Sequence, residues 1–179
     1  CALKKRGCQV LISDTNQVNI STAINEGLPV HHGSILSNEI LESVQLNEFC
    51  RLIAMTPNDE LNSFASIRFA DIFGRNQVFQ LRPHSNTNIV GHLMGRTLFG
   101  TNRDYSYLSG CLEKGAVLVE KEITAGVKPE DLLNDVETVS TALFSISKNG
   151  SISFMTEDIK SNLDHLKPGS HLFYLMLSK

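Results

Sequence analysis

Short apolar runs alternate with helix-like segments through the first half of the chain. The runs at residues 8–13, 28–31, 50–55 and 77–81 have the length and composition of buried strands, and apolar residues at helical spacing separate them. Strands that start near residues 9, 29, 50 and 77 need crossover connections, and such connections are right-handed and join parallel neighbours. The pattern therefore predicts an α/β fold with a parallel sheet flanked by helices.

Capping signals set the bounds of the helices between these strands. Thr15 or Asn16 can cap a helix that Gly27 ends, and Ser37 can cap a second, shorter helix. The third helix begins after Pro57, with Asn58 or Asp59 as its cap, and runs to residue 73. Its buried stripe is predicted to comprise Leu61, Phe64, Ala65, Phe69 and Ile72.

The opening of the chain resembles the middle of a dinucleotide-binding unit. Residues 1–6 read as the end of a helix, Gly7 as its stop, and residues 8–13 as a strand that leads to an acid, Asp14. In a Rossmann-like unit the acid after the second strand binds a ribose hydroxyl, about 20 residues after a glycine-rich turn. We therefore expect a first strand and a glycine-rich turn upstream of Cys1. Their absence would leave a gap between the second and fourth strands of the fold.

The character of the sequence changes after Pro83. Residues 88–99 could form a helix weakened by three glycines, and we interpret residues 83–100 as a connector. Residues 101–179 are predicted to form a small strand-rich α+β subdomain. Its elements are a strand at 115–124, a short helix from residue 129, a hairpin at 143–155 around Asn149-Gly150, and a last strand at 171–177. The predicted division is thus 1–82, 83–100 and 101–179.

Composition and charge argue against several classes of partner and site. The formal net charge is -3 and no basic face emerges, which argues against a nucleic-acid partner. The cysteines at 1, 8, 50 and 111 form no metal-binding pair, and we interpret them as buried free thiols. Adjacent His31 and His32 point to opposite faces of a strand, so no metal site is predicted. No apolar run approaches the roughly 18 residues of a membrane span.

Three short motifs, taken together, resemble a known family. They are Val10-Leu11-Ile12-Ser13-Asp14-Thr15-Asn16, then Glu26-Gly27-Leu28-Pro29 with His32-Gly33, and then the run from Arg51 through Thr56-Pro57-Asn58-Asp59 to Asn62. In order and spacing they are similar to the TrkA-N domain, also called KTN or RCK, and above all to versions fused behind cation:proton antiporters. The resemblance covers residues 1–82 well and the remainder more loosely.

The resemblance implies a regulatory domain that binds NAD(H) or an adenine nucleotide. The implied binding residues are Asp14, Thr15, Asn16, Gly33, Ser34, Thr56, Asn58 and Asp59. Asp14 would accept the ribose hydroxyls, whereas Ser34 departs from the family's Gly-Asp pattern near the adenine. Asn62 can brace the loop that carries Thr56. For Thr15, Asn16, Asn58 and Asp59, helix capping is the competing interpretation.

The resemblance also implies partners and a location. We expect an antiporter domain fused upstream, a homodimer, and a position on the cytoplasmic side of the inner or plasma membrane. No catalytic constellation is recognisable, so the chain is not predicted to be an enzyme. Two alternatives stay open: a free-standing regulatory subunit of a potassium channel or transporter, and a fragment of an NAD-dependent oxidoreductase or epimerase.

Overall fold

The computed structural model describes residues 2–84, 94–126, 128, 131 and 138–178. Its first half alternates helices and short strands, and its second half is built around a longer antiparallel sheet. The elements of the first half are α1 (Ala2–Lys5), β1 (Ile12–Asp14), α2 (Gln17–Asn25), β2 (Val30–His32), α3 (Asn38–Ser43), β3 (Leu52–Ala54), α4 (Asp59–Phe73), β4 (Val78–Gln80) and β5 (Arg96–Thr97). Those of the second half are α5 (Tyr105–Glu113), β6 (Val117–Glu122), β7 (Thr138–Ile146), β8 (Ile152–Phe154), α6 (Ile159–Asp164) and β9 (His171–Ser178).

The predicted parallel α/β arrangement is confirmed. β1 pairs in parallel with β2, and β3, β4 and β5 form a second parallel sheet in that order. Within the described residues the two sheets are separate, and no strand of one pairs with a strand of the other. The predicted first strand upstream of Cys1 stays a prediction.

The predicted buried stripe of α4 is wrong at both ends. Phe64 is 58% exposed and Ile72 is 44% exposed. The buried face instead carries small and polar residues around one aromatic ring, namely Asn62, Ser63, Ala65, Ser66 and Phe69. The helix lies close against β3 and β4, and small side chains permit that approach, whereas two further large side chains would hold the helix away.

The predicted connector helix is also corrected. Residues 85–93 lie outside the described part of the chain, but Arg96 and Thr97 form β5, which pairs with β4 instead of ending a helix. Gly95 explains the difference, because a Cβ there would lie 3.0 Å from the carbonyl oxygen of Val78. The backbone at Gly95 thus approaches β4 too closely for any side chain, and the pairing continues from there.

The second half is a four-stranded antiparallel sheet in the order β6-β9-β7-β8. The predicted hairpin between β7 and β8 is confirmed, with Gly150 at φ 85° in its turn. The sequence predicted neither α5 nor α6. The helix predicted from residue 129 falls almost wholly outside the described residues.

One apolar core joins the two halves. Phe79 and Leu81, from the end of β4, pack with Phe144, Phe154 and Phe173 of the antiparallel sheet. The Phe79 and Phe154 ring centroids are 5.2 Å apart. A smaller cluster around Ile40, Phe69 and Val78 holds α3 and α4 against the other face of β4.

The cysteines only partly match their prediction. Cys8, Cys50 and Cys111 are free thiols, but Cys111 alone is buried; Cys8 is half-buried and Cys50 is exposed, so the prediction of buried thiols is wrong for Cys50. Cys50 lies just before β3, outside any helix or strand. Within the described ranges, no helix is both long and apolar enough to cross a membrane.

Because Phe69 lies on the buried face of α4 and Phe64 does not, we predict that replacing them by alanine has unequal effects on stability. Phe69 is 1% exposed and Phe64 is 58% exposed. Phe69→Ala should lower the free energy of unfolding by about 3–5 kcal/mol, since it empties a buried site. Phe64→Ala should change it by less than about 0.5 kcal/mol. Urea denaturation followed by circular dichroism measures both, and equal losses would contradict the assigned face.

Tyr174 on β9 predicts a loss of stability in alkali. Burial raises the pKa of its phenol above its usual range, because the ionised form is poorly solvated there. The unfolded chain therefore releases the proton first, so the free energy of unfolding falls as the pH rises above about 10. The fall should be smaller in Tyr174→Phe, which has no proton to lose. Urea midpoints at pH 8 to 11 test this, and parallel curves for the two proteins would contradict it.

Candidate functional site

Asp14 ends β1 and begins the turn into α2. Its Oδ1 accepts a hydrogen bond from the backbone N–H of Asn16 (2.8 Å), and its Oδ2 accepts one from the Asn19 side chain (2.7 Å). Asn16 is the N-cap of α2 and accepts from the N–H of Val18 (2.8 Å). The carboxylate is thus fixed by local bonds, yet each of its oxygens has further lone pairs that can accept a hydroxyl.

The end of β2 lies beside Asp14. Asp14 and His32 are register partners, and the N–H of Gly33 donates to the carbonyl oxygen of Asp14 (3.0 Å). A Cβ at Gly33 would lie 2.8 Å from Nε2 of His31, so a side chain there would have to displace the imidazole. The hydroxyl of Ser34 accepts from the N–H of Leu36 (3.2 Å), a bond that uses a lone pair and leaves its proton free to donate.

Thr15 is exposed, and its backbone ties the two strand ends together. His32 Nε2–H donates to the carbonyl oxygen of Thr15 (3.2 Å). His31 differs from its neighbour, because its Nε2 is buried without a hydrogen-bond partner among the described residues. The two imidazoles therefore have separate environments.

Asn62 organises the loop between β3 and α4. It is fully buried, its Oδ1 accepts from the backbone N–H (3.0 Å) and the hydroxyl (2.8 Å) of Thr56, and its Nδ2–H donates to the Thr56 carbonyl (2.9 Å). The predicted bracing role of Asn62 is confirmed. Three bonds between one buried amide and one residue hold Thr56 in a single orientation.

Asn58 and Asp59 have structural tasks in the same loop. Asn58 is the N-cap of α4 and accepts from the N–H of Leu61 (2.9 Å). Oδ2 of Asp59 accepts from the backbone N–H of His84 (2.8 Å), which ties the chain after β4 to the start of α4. Capping is therefore the shown role of Asn16 and Asn58.

The predicted site residues fall into two groups. Asp14, Thr15, Asn16, Gly33 and Ser34 surround the ends of β1 and β2, whereas Thr56, Asn58 and Asp59 follow β3. No hydrogen bond among the described residues joins the two groups, which lie at the ends of two separate sheets. Each group presents oxygens suited to hydroxyls and amides. Within the same residues, no cluster of three or more His, Cys, Asp or Glu side chains could hold a metal ion.

The sequence analysis missed Asn19. Its amide holds Oδ2 of Asp14 and so fixes the carboxylate that the proposed site depends on. The signal in the sequence was a polar residue on the first turn of the helix that follows Asp14. The first turn of such a helix lies next to the end of the preceding strand.

Comparison with known proteins identifies the first half. Residues 2–90 match the family model of the TrkA-N domain. This part of the chain is a TrkA-N domain. The family predicted from the three motifs is confirmed at the level of the domain, and the antiporter context stays a prediction.

Among solved structures, the chain is similar to one described as the crystal structure of the GsuK RCK domain. The identity is 12% and the TM-score is 0.35, with 94% of this chain and 43% of that chain covered. The chain thus spans less than half the length of that structure, and a likeness of this degree carries no argument about function. No curated protein sequence matches the chain.

Asn62 should be more sensitive to truncation than Asn19. Asn62→Ala leaves the N–H and hydroxyl of Thr56 without their acceptor in a buried place, which should cost about 1–3 kcal/mol of stability. Asn19→Ala removes one exposed amide bond and should cost less than about 1 kcal/mol. Urea denaturation compares the two variants, and hydrogen exchange at the Thr56 amide should accelerate in Asn62→Ala alone. Unchanged exchange there would contradict the bracing role.

Proposed function

We propose that the TrkA-N domain binds NAD(H) or an adenine nucleotide and thereby regulates a monovalent cation:proton antiporter. Ion transport would be carried out by a membrane domain joined to this one, and the described chain would be its cytoplasmic sensor. The proposal extends the family match from the domain to its ligand and to the transporter that it controls.

The position of Asp14 is the observation that supports the ligand most directly. A carboxylate at the carboxyl end of β1, beside the end of β2, is where dinucleotide-binding sheets bind the adenosine ribose. Its contacts with Asn16 and Asn19 orient the carboxylate without using up its acceptor capacity. Thr15, Asn16, Gly33 and Ser34 would border the adenosine, and Thr56, Asn58 and Asp59 would border the far side of the crevice.

We propose that a further strand and a glycine-rich turn complete this site. Among the described residues β1-β2 and β3-β4-β5 are separate sheets, and the 179 residues contain no G-x-G-x-x-G motif to hold a pyrophosphate. We propose that the further strand lies between β1 and β3, as in dinucleotide-binding sheets. A parallel strand in that position would join the two sheets and bring both groups of binding residues to one edge. Without it the chain should bind nucleotide weakly.

Regulation requires that the nucleotide bind two states of the transporter with different affinities. The shared core is a physical route for such a difference, because β4 packs against both the TrkA-N helices and the antiparallel sheet. We also propose a homodimer, which would let two domains act on the transporter together.

The ligand proposal predicts that binding depends on Asp14. In the chain extended by a strand and glycine-rich turn, Asp14→Ala should weaken NADH or AMP binding at least about tenfold, since a hydrogen bond to a charged group contributes about 1.5–3 kcal/mol. Asp14→Asn should weaken it less, because its oxygen can still accept. Calorimetry on the extended chain and on the 179-residue chain measures these affinities.

Asp71→Ala is the matched control, because Asp71 is an exposed acid on α4 outside both groups. Asn19→Ala separates positioning from binding, since it frees the carboxylate without removing it. Equal affinity in Asp14→Ala and in the parent would overturn the site. Hydride transfer from NADH to a small substrate would instead support an oxidoreductase.

A further inference from the structure

A polar cleft lies in the second half of the molecule, away from the nucleotide residues. Its volume is about 740 Å³, which is within the usual range of small-molecule sites. One wall is the hairpin of β7 and β8, the opposite wall is α6 with the turn at residues 167–170, and Arg96 of β5 closes one side. The cleft therefore lies where β5 meets the antiparallel sheet.

The wall of the cleft formed by the hairpin is lined with hydroxyl groups. Ser145 and Ser153 are directly opposite each other on β7 and β8. The alternate residues Phe144 and Phe154 point to the other face, where their rings lie 6.0 Å apart in the core. One side of the same strands is thus apolar and packed, while the other side faces the cleft with hydroxyls. The cleft's hydroxyl and amide groups include Ser147, Asn149, Ser151, Thr156, Ser161 and Asn162.

The charge of the cleft is opposite to that of the chain. Its lining has three cationic side chains, Arg96, Lys148 and Lys167, against the single carboxylate of Asp158, whereas the whole chain has a net charge of -3. Asp158 is the N-cap of α6 and accepts from the N–H of Ser161 (3.0 Å). An excess of cations over a hydroxyl-rich surface favours an anionic ligand.

Two of these cations flank one end of the cleft. The stem of Lys148 lies over the turn that follows Lys167, with its Cδ 3.6 Å from the place of a Cβ on Gly169. Within the described residues neither lysine has an ion-pair partner. Arg96, in contrast, contacts an aromatic ring: its guanidinium carbon lies 5.3 Å from the centroid of the Phe79 ring. The lysine pair is therefore available to a phosphate.

We propose that this cleft binds a small sugar phosphate or polyol phosphate. Lys148 and Lys167 would hold the phosphate, and the serine and asparagine side chains would bind the hydroxyls. The described lining contains no Phe, Tyr or Trp side chain. Its one aromatic ring is the imidazole of His165, whose Nδ1–H donates to the Ser161 carbonyl (2.6 Å). The many hydroxyl and amide groups around it favour a polyol over a nucleotide. Because the ligand would contact both β5 and the antiparallel sheet, it would bind across the junction of the two halves.

The experiment is a titration of the 179-residue chain with glucose 6-phosphate, glucose and inorganic phosphate, followed by amide chemical shifts. Glucose 6-phosphate should give saturable shifts at residues 147–153 and 165–170, and it should bind more tightly than either glucose or phosphate. No saturable shift at about 10 mM glucose 6-phosphate would overturn the proposal. Equal binding of inorganic phosphate would also overturn it, since the hydroxyls would then contribute nothing.

Variants locate the two parts of the ligand. The double change Lys148→Gln with Lys167→Gln should weaken binding at least about tenfold. Lys121→Gln, an exposed lysine on β6 outside the cleft, should leave binding unchanged. Asp158→Asn should tighten binding, because it removes the carboxylate and keeps a capping oxygen, and a poorly folded variant could not give that result. Unchanged affinity in the double variant would overturn the proposal. NADH binding is measured separately and should not respond to these changes.

Discussion

The three residues of β4 join the two apolar cores of the structure. Val78 packs towards α3 and α4, whereas the next residue, Phe79, packs with the aromatic rings of the antiparallel sheet. Gln80 is fully buried on the same face as Val78; its amide donates to Ser63 on α4 (3.3 Å) and its Oε1 accepts from the N–H of Gly95 (3.0 Å). Because successive side chains of a strand point to opposite faces, this one strand supplies part of both cores. The two halves therefore pack against the same strand, and a change in the packing of one half can alter the packing of the other.

The sequence predicted the elements whose signals are local. The β1–α2 turn, the N-caps Asn16 and Asn58, and the Asn149-Gly150 hairpin each depend on a few adjacent residues, and each is confirmed. The elements it missed depend on distant contacts. β5 forms because glycine at position 95 lets the backbone approach β4. The residues around position 95 do not indicate that β4 will be their neighbour in the fold. The exposed Phe64 follows from the same cause: the close fit of α4 to β3 and β4 selects small residues over large ones.

The candidate site shows why residue type alone does not decide function. Asn16 and Asn58 accept from backbone N–H groups at helix starts, and Asp59 accepts from the N–H of His84. The proposed nucleotide site would use the same oxygens. Asp14 differs from them, because its local partners fix the carboxylate while its remaining lone pairs stay available. The sequence could place all these residues at strand ends. It could not show that they form two groups, since the separation depends on how the sheets pair.

The loop after β3 and the cleft beside β5 lie at the two edges of one sheet. β3, β4 and β5 form a continuous sheet, with β3 at one edge and β5, whose Arg96 lines the cleft, at the other. A nucleotide at the proposed site would contact the loop after β3, and a ligand in the cleft would contact β5. Both would act through the buried residues of β4, which tolerate little displacement because interiors are close-packed. Two binding events at separate sites would then be coupled whenever each favours a different arrangement of that strand.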